Sequence, residues 1–152
     1  VTGLAKLNGV TLSELTWKNF ITDGGKYVSG VTLTSTDRAD VAVATGVAAN
    51  FNGGFGNDIL SNNGFANASL TGGGGDDFLI VDSTWNNAVI NGSEGFDTLR
   101  LQNLANLNLN SFTSSNIQNI ERIDLRGTNI TGIDASDVID FSADDMLFID
   151  GS

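Results

Sequence analysis

The chain has 152 residues, 40% of them hydrophobic and only 16% charged, enough for one domain or two small ones with a real core. Its 18 acidic residues outweigh 7 basic ones, a formal charge of −11, which argues against nucleic acid and anionic membrane surfaces as partners, since both attract Lys and Arg and repel carboxylates. With no Cys and no His, it has no disulfide, no thiolate metal site and no Ser-His-Asp triad, and most zinc chemistry is closed to it.

Residues 1–40 are mixed. The stretch "TLSELTWKNFI" opens with Thr11-x-x-Glu14, a capping-box pattern, and Leu12, Leu15 and Phe20 could line one face, so the spacing predicts a short helix. "KYVSGVTLTST" alternates polar with β-branched residues and reads as strand. Residues 41–99 repeat themselves. "GGFGNDIL" at 53–60 returns as "GGGGDDFL" at 72–79 and as "GSEGFDTL" at 92–99. The shared frame is G-G-x-G-x-D-x-U, with U apolar: Asp58 and Leu60, Asp77 and Leu79, Asp97 and Leu99. Ser93 replaces the second glycine of the third copy.

A half-period lies between the copies. "ATGVAANF", "NGFANASL" and "STWNNAVI" fit the same frame with Phe51, Leu70 and Ile90 at U, and with Ala49, Ala68 and Ala88 where Asp would stand. Each unit is then a turn and a short strand, and two units make one coil of a solenoid. The U residues point inward to a thin core that is stable only when coils stack. Glycine allows the positive φ of a tight turn and lets peptide carbonyls converge. A hard cation with six to eight oxygen ligands suits that point, Ca²⁺ better than Mg²⁺.

Residues 100–152 change character. "LRLQNLANLNLNSF" alternates Leu with polar residues, a strand signature, and "NIQNIERIDLRG" and "DASDVIDFSADDMLFIDG" carry further apolar residues between Asp, Asn and Ser turns. We expect short strands there, with one helical turn at 135–138. The acids of this segment, Asp144 and Asp145 among them, read as a solvated face, and no nucleophile–base pair marks an enzyme. No apolar run is long enough for a membrane span. The start at Val1 without a signal-like segment and the abrupt end at Ser152 read as a piece of a longer polypeptide.

The repeated nonapeptide resembles the repeats-in-toxin (RTX) family of type I secreted bacterial proteins. The skeleton "NIE.IDL…DV…L.I.G" in residues 116–151 looks like segments near the RTX region of large bacterial surface adhesins. The resemblance implies a mainly β fold, a short parallel β-roll over residues 41–99 closed by a β-rich acidic cap over 100–152; the small N-terminal α/β segment over 1–40 is read from its own residues, and the three together are expected to form one cooperative domain. It implies calcium between stacked turns, at two principal sites. One ion would take the Asp58 carboxylate with the carbonyls of Gly53 and Phe55, and Asp77 with those of Gly73 and Gly75. The other would take Asp77 with the carbonyls of Gly72 and Gly74, and Asp97 with those of Ser93 and Gly95. The Ala edge would hold none.

The same resemblance implies a secreted or cell-surface location; the charge, the lack of a long apolar run and the lack of a nucleophile–base pair argue against nucleic acid, membrane insertion and catalysis, and a monomer is expected of a fragment of a larger chain. Three functions follow as expectations: an adhesin domain binding a peptide or glycan on another surface, a folding and secretion module binding only calcium, or the accessory module of a secreted hydrolase. On the calcium-free edge, Phe65 and Trp85 sit at a turn position expected to point outward, a candidate platform for a ligand. The calcium edge lacks the Thr row that an ice-binding surface would need.

Overall fold

The computed structural model describes residues 27–30, 32–33, 36–82, 88–108, 116–134, 136, 141–142 and 146–151. The expected helix at 11–21 and Trp85 lie outside the described residues, as does most of the turn at 135–138. The described strands are β1 (Tyr27–Gly30), β2 (Thr32–Leu33), β3 (Val41–Ala44), β4 (Asn50–Phe55), β5 (Ile59–Ser61), β6 (Ser69–Gly74) and β7 (Phe78–Val81). There follow β8 (Val89–Glu94), β9 (Thr98–Leu101), β10 (Asn106–Asn108), β11 (Ile117–Gln118), β12 (Arg122–Asp124), β13 (Asn129–Thr131) and β14 (Phe148–Asp150).

These strands wind into a parallel β-solenoid of about four turns. One sheet has the order β1-β3-β5-β7-β9-β12-β14, the other β11-β8-β6-β4-β2, and β10 pairs with β13 in a small third sheet. From β1 to β9 consecutive strands alternate between the two large sheets, so each strand of one sheet lies in the crossover of the other, which is how so short a chain builds parallel pairs.

The register explains the sequence period. Leu60 pairs with Leu79 and Leu79 with Leu99 in the first sheet, while Phe51 pairs with Leu70 and Leu70 with Ile90 in the second. All six of these U residues are fully buried. A side-chain period of two then sends Ile59, Phe78 and Arg100 to the outer face of the first sheet, where they are half-buried. Ala49, Ala68 and Ala88 are buried as well, so the edge without aspartate is closed by small apolar side chains.

Both sheets run past the limits expected for the roll. β1 pairs in register with β3, and β12 pairs with β9, placing Ile123 against Leu99. Ile117, Ile120, Ile123 and Phe141 are buried and extend the same core. The segment after Leu99 thus adds strands to the roll before it ends. Ile149 continues the inward row opposite Ile123 and is 44% exposed, with no strand among the described residues paired on its far side.

Candidate functional site

The turn-borne aspartates line one edge of the solenoid, and their side chains fold inward. Asp58, Asp77 and Asp97 are 1%, 2% and 0% exposed. Each sits two residues before its U residue, so the same strand that buries Leu60, Leu79 or Leu99 buries the carboxylate beside it. The buried carboxylates are linked from coil to coil. The Asp40 amide donates to Asp58 Oδ1 at 2.6 Å, the Asp58 amide to Asp77 Oδ1 at 2.7 Å, and the Asp77 amide to Asp97 Oδ1 at 2.7 Å. The Asp97 amide then donates to Glu121 Oε2 at 2.8 Å.

Asp40 and Glu121 are members of this row that the glycine frame does not single out. Both are buried. Asp40 accepts the Thr36 hydroxyl on Oδ2 at 2.9 Å. Their signal is the bare triplet of an acid, any residue and an apolar residue: Asp40-Val41-Ala42 and Glu121-Arg122-Ile123, in phase with Asp58-Ile59-Leu60.

The second oxygen of each repeat aspartate tells a different story. Oδ2 of Asp58, Asp77 and Asp97 is buried and has no hydrogen-bond partner. Each lies against a glycine of its own turn. A Cβ on Gly53 would run into the Asp58 carboxylate, one on Gly72 into Asp77, and one on Gly92 into Asp97. The Gly72 carbonyl oxygen lies 2.6 Å from that Gly53 Cβ position, and the Gly92 carbonyl 2.7 Å from the one on Gly72. A carboxylate oxygen and a peptide oxygen from the next coil thus converge where only glycine leaves room. Gly92 joins the candidate residues on this ground.

Such crowding of oxygens shows in the proton affinity. Burial pushes the carboxyls of Asp58, Asp77 and Asp97 from the ordinary 3.8 up to about 7, against the pull of the amide each accepts. The charge on neighbouring rungs adds to the rise: Asp40 for Asp58, Asp58 and Asp76 for Asp77, and Asp77, Glu121 and Asp76 for Asp97. An unpartnered buried carboxylate costs several kcal/mol, on the order of what drives it to take a proton or a cation.

The turns themselves are stacked glycine arcs. Gly73 and Gly75 have φ of 124° and 125°, Gly95 has 138°, and Ser93 adopts 82°, a left-handed conformation that its side chain disfavours. The Gly74 carbonyl accepts the Gly56 amide at 2.8 Å, and the Phe55 amide donates to the Thr36 carbonyl at 3.0 Å. The Gly53 carbonyl accepts the Thr36 amide at 3.3 Å. Among the described residues no three acidic side chains cluster closely enough to hold a metal unaided, so any cation here would need main-chain oxygens. The donor set is oxygen only, which suits a hard cation.

On the opposite edge, Phe65 is half-buried and packs against the core. Its side chain therefore does not stand fully clear of the roll, and the turn that carries it is closed by the Asn62 side-chain amide donating to the Phe65 carbonyl at 3.2 Å and the Phe65 amide to the Asn62 carbonyl at 2.9 Å. No protein-family model, curated protein or solved structure matches the chain.

Proposed function

We propose that the chain is a calcium-dependent extracellular domain of an RTX-type bacterial adhesin, whose roll folds as metal binds and which then holds a peptide or glycan on another surface. The observation that carries the metal part of this reading is the row of orphaned Oδ2 atoms on Asp58, Asp77 and Asp97, set against glycines on one edge only and matched by buried Ala49, Ala68 and Ala88 on the other.

Calcium would be held by these carboxylates with carbonyls of the turns: Gly53, Phe55, Gly73 and Gly75 between Asp58 and Asp77, and Gly72, Gly74, Ser93 and Gly95 between Asp77 and Asp97. When bound, the ion supplies positive charge that neutralises adjacent rungs. The chain's own part is to hold the carboxylates dry and in line, each Oδ1 fixed by an amide of the coil before it. Binding free energy then becomes folding free energy. Extracellular calcium modules bind at about 10⁻⁴–10⁻³ M, a range that leaves the chain unfolded in a low-calcium cytoplasm and folded after export.

The test is circular dichroism with calorimetry in millimolar calcium and in excess chelator, followed by peptide and glycan arrays in both. A calcium-driven gain of β-structure and a calcium-dependent array hit support the reading, and an unchanged spectrum refutes its metal part. A second reading, a folding and secretion module that binds only calcium, is favoured by the packing of Phe65 against the core, which leaves that aromatic only half-exposed on the calcium-free edge. A calcium-folded sample with blank arrays supports that one.

A further inference from the structure

Phe55, Gly74 and Glu94 lie side by side on β4, β6 and β8 in one row across the second sheet. The middle position has no side chain. The outer two are an aromatic ring and a carboxylate two strand spacings apart, about 9–10 Å along the stack. Phe55 is 65% exposed, and its ring leans over the Gly74 backbone: a Cβ on Gly74 would meet Phe55 Cδ1 at 3.0 Å. Glu94 is exposed. The groove around them, about 360 Å³, has Asn52 and Ser93 on its walls and a glycine floor.

The molecule shows elsewhere what completes such a pair. On the first sheet the Arg100 guanidinium carbon lies 4.1 Å from the Phe78 ring centroid, and Arg100 Nη2 stands 2.8 Å from Asp124 Oδ2. Arg122 lies 5.4 Å over the Phe96 ring. In each case a guanidinium covers the ring face, and at Arg100 a carboxylate fixes it. The Phe55–Glu94 pair has the ring and the carboxylate, and among the described residues no guanidinium or ammonium sits on them.

We propose that this notch takes a cationic side chain, a guanidinium above all, from a partner polypeptide. The inference rests on the reading of the chain as a ligand-binding domain and names the ligand chemistry. A ring face carries partial negative charge and attracts a cation, and a planar guanidinium can stack on the ring while it donates two hydrogen bonds to a carboxylate. The net charge of −11 draws basic segments to the surface. A neutral hexose would stack on the ring and donate hydroxyls to Glu94, but it brings no positive charge to either.

The probe is acetyl-arginine amide, with acetyl-citrulline amide as its uncharged match and methyl hexosides as a third arm, titrated into the labelled chain in millimolar calcium at low salt. Amide shifts at Phe55, Gly74 and Glu94 are expected for the arginine compound and not for the citrulline one. Glu94→Gln and Phe55→Ala should each weaken the apparent affinity roughly two- to five-fold. Equal shifts with citrulline, shifts only with hexosides, shifts elsewhere, or none at all would overturn the proposal. Circular dichroism of the same samples with and without calcium tests the metal reading separately, and the notch is judged on the titration whichever way that falls.

Discussion

The amide of Asp58 donates to Oδ1 of Asp77 at 2.7 Å, while Asp77 Oδ2 is buried with no partner. One oxygen of the carboxylate is therefore structural and the other is in need of a proton or a cation. An amide side chain separates the two roles, since Asn keeps an acceptor for the Asp58 amide and carries no charge. Asp77→Asn should keep more β-structure than the parent chain in chelator at pH 8 and show a smaller gain on adding calcium. Equal responses of the variant and the parent chain to calcium would show that Asp77 is not a ligand.

The three raised carboxyls give the metal-free chain a pH dependence of definite sign. Burial lifts Asp58, Asp77 and Asp97 from 3.8 to about 7 in the folded state. Between these values the folded chain binds more protons than the unfolded one, so folding stability falls as pH rises. Asp124 opposes this only at lower pH: although burial works the other way, Arg100 and Arg126 hold it below 3.8. In chelator, the β-structure read by circular dichroism should be retained near pH 4.5 and lost as pH rises to about 7. A flat profile over that interval would mean the carboxylates are not buried without metal.

Asp77 stands between Asp58 and Asp97 in the row and is the one aspartate shared by both proposed ions. Its replacement should therefore cost the most in calcium response. Asp77→Ala is expected to shift the calcium midpoint for folding further than Asp58→Ala or Asp97→Ala. Equal midpoints for all three variants would refute the shared-ligand arrangement.

The roll was legible because its repeat carries both side-chain and backbone demands. The U residues recur at the solenoid period, and glycine marks the turns where only hydrogen fits. Asp40 and Glu121 were harder to see, since their turns lack the glycine frame and only the phase of the next strand ties them to the row. The bridge from Arg100 to Phe78 and Asp124 was not legible at all. It joins residues one coil apart on an outer face, and no local pattern announces which outward side chains will meet. The packing of Phe65 against the core was hidden for a similar reason, since it depends on the conformation of a turn that the sequence alone does not fix.

Ser93 occupies a position that glycine fills in the other copies, where Gly54 and Gly73 have φ of 98° and 124°. Its own φ of 82° places a Cβ in the left-handed region at a cost of about 1–2 kcal/mol. Ser93→Gly should stabilise the folded chain by roughly 1 kcal/mol, less than the full strain because glycine also gains freedom when unfolded. Urea unfolding in saturating calcium measures it. A loss of stability would mean that the Ser93 hydroxyl makes a contact worth more than the strain.

Leu79 lies between Leu60 and Leu99 in the inward row and is fully buried, whereas Ile80, the next residue, is half-buried on the outer face. Two adjacent residues of similar size thus report on the two faces of one strand. Leu79→Ala removes stacking on both neighbouring coils and should cost about 2–5 kcal/mol. Ile80→Ala loses only part of its contacts and should cost about 1 kcal/mol. Because each coil of a solenoid packs only against its neighbours, the first loss is also expected to broaden the transition as the coils uncouple. Equal costs for the two variants in calcium would mean that the outer face is as well covered as the core.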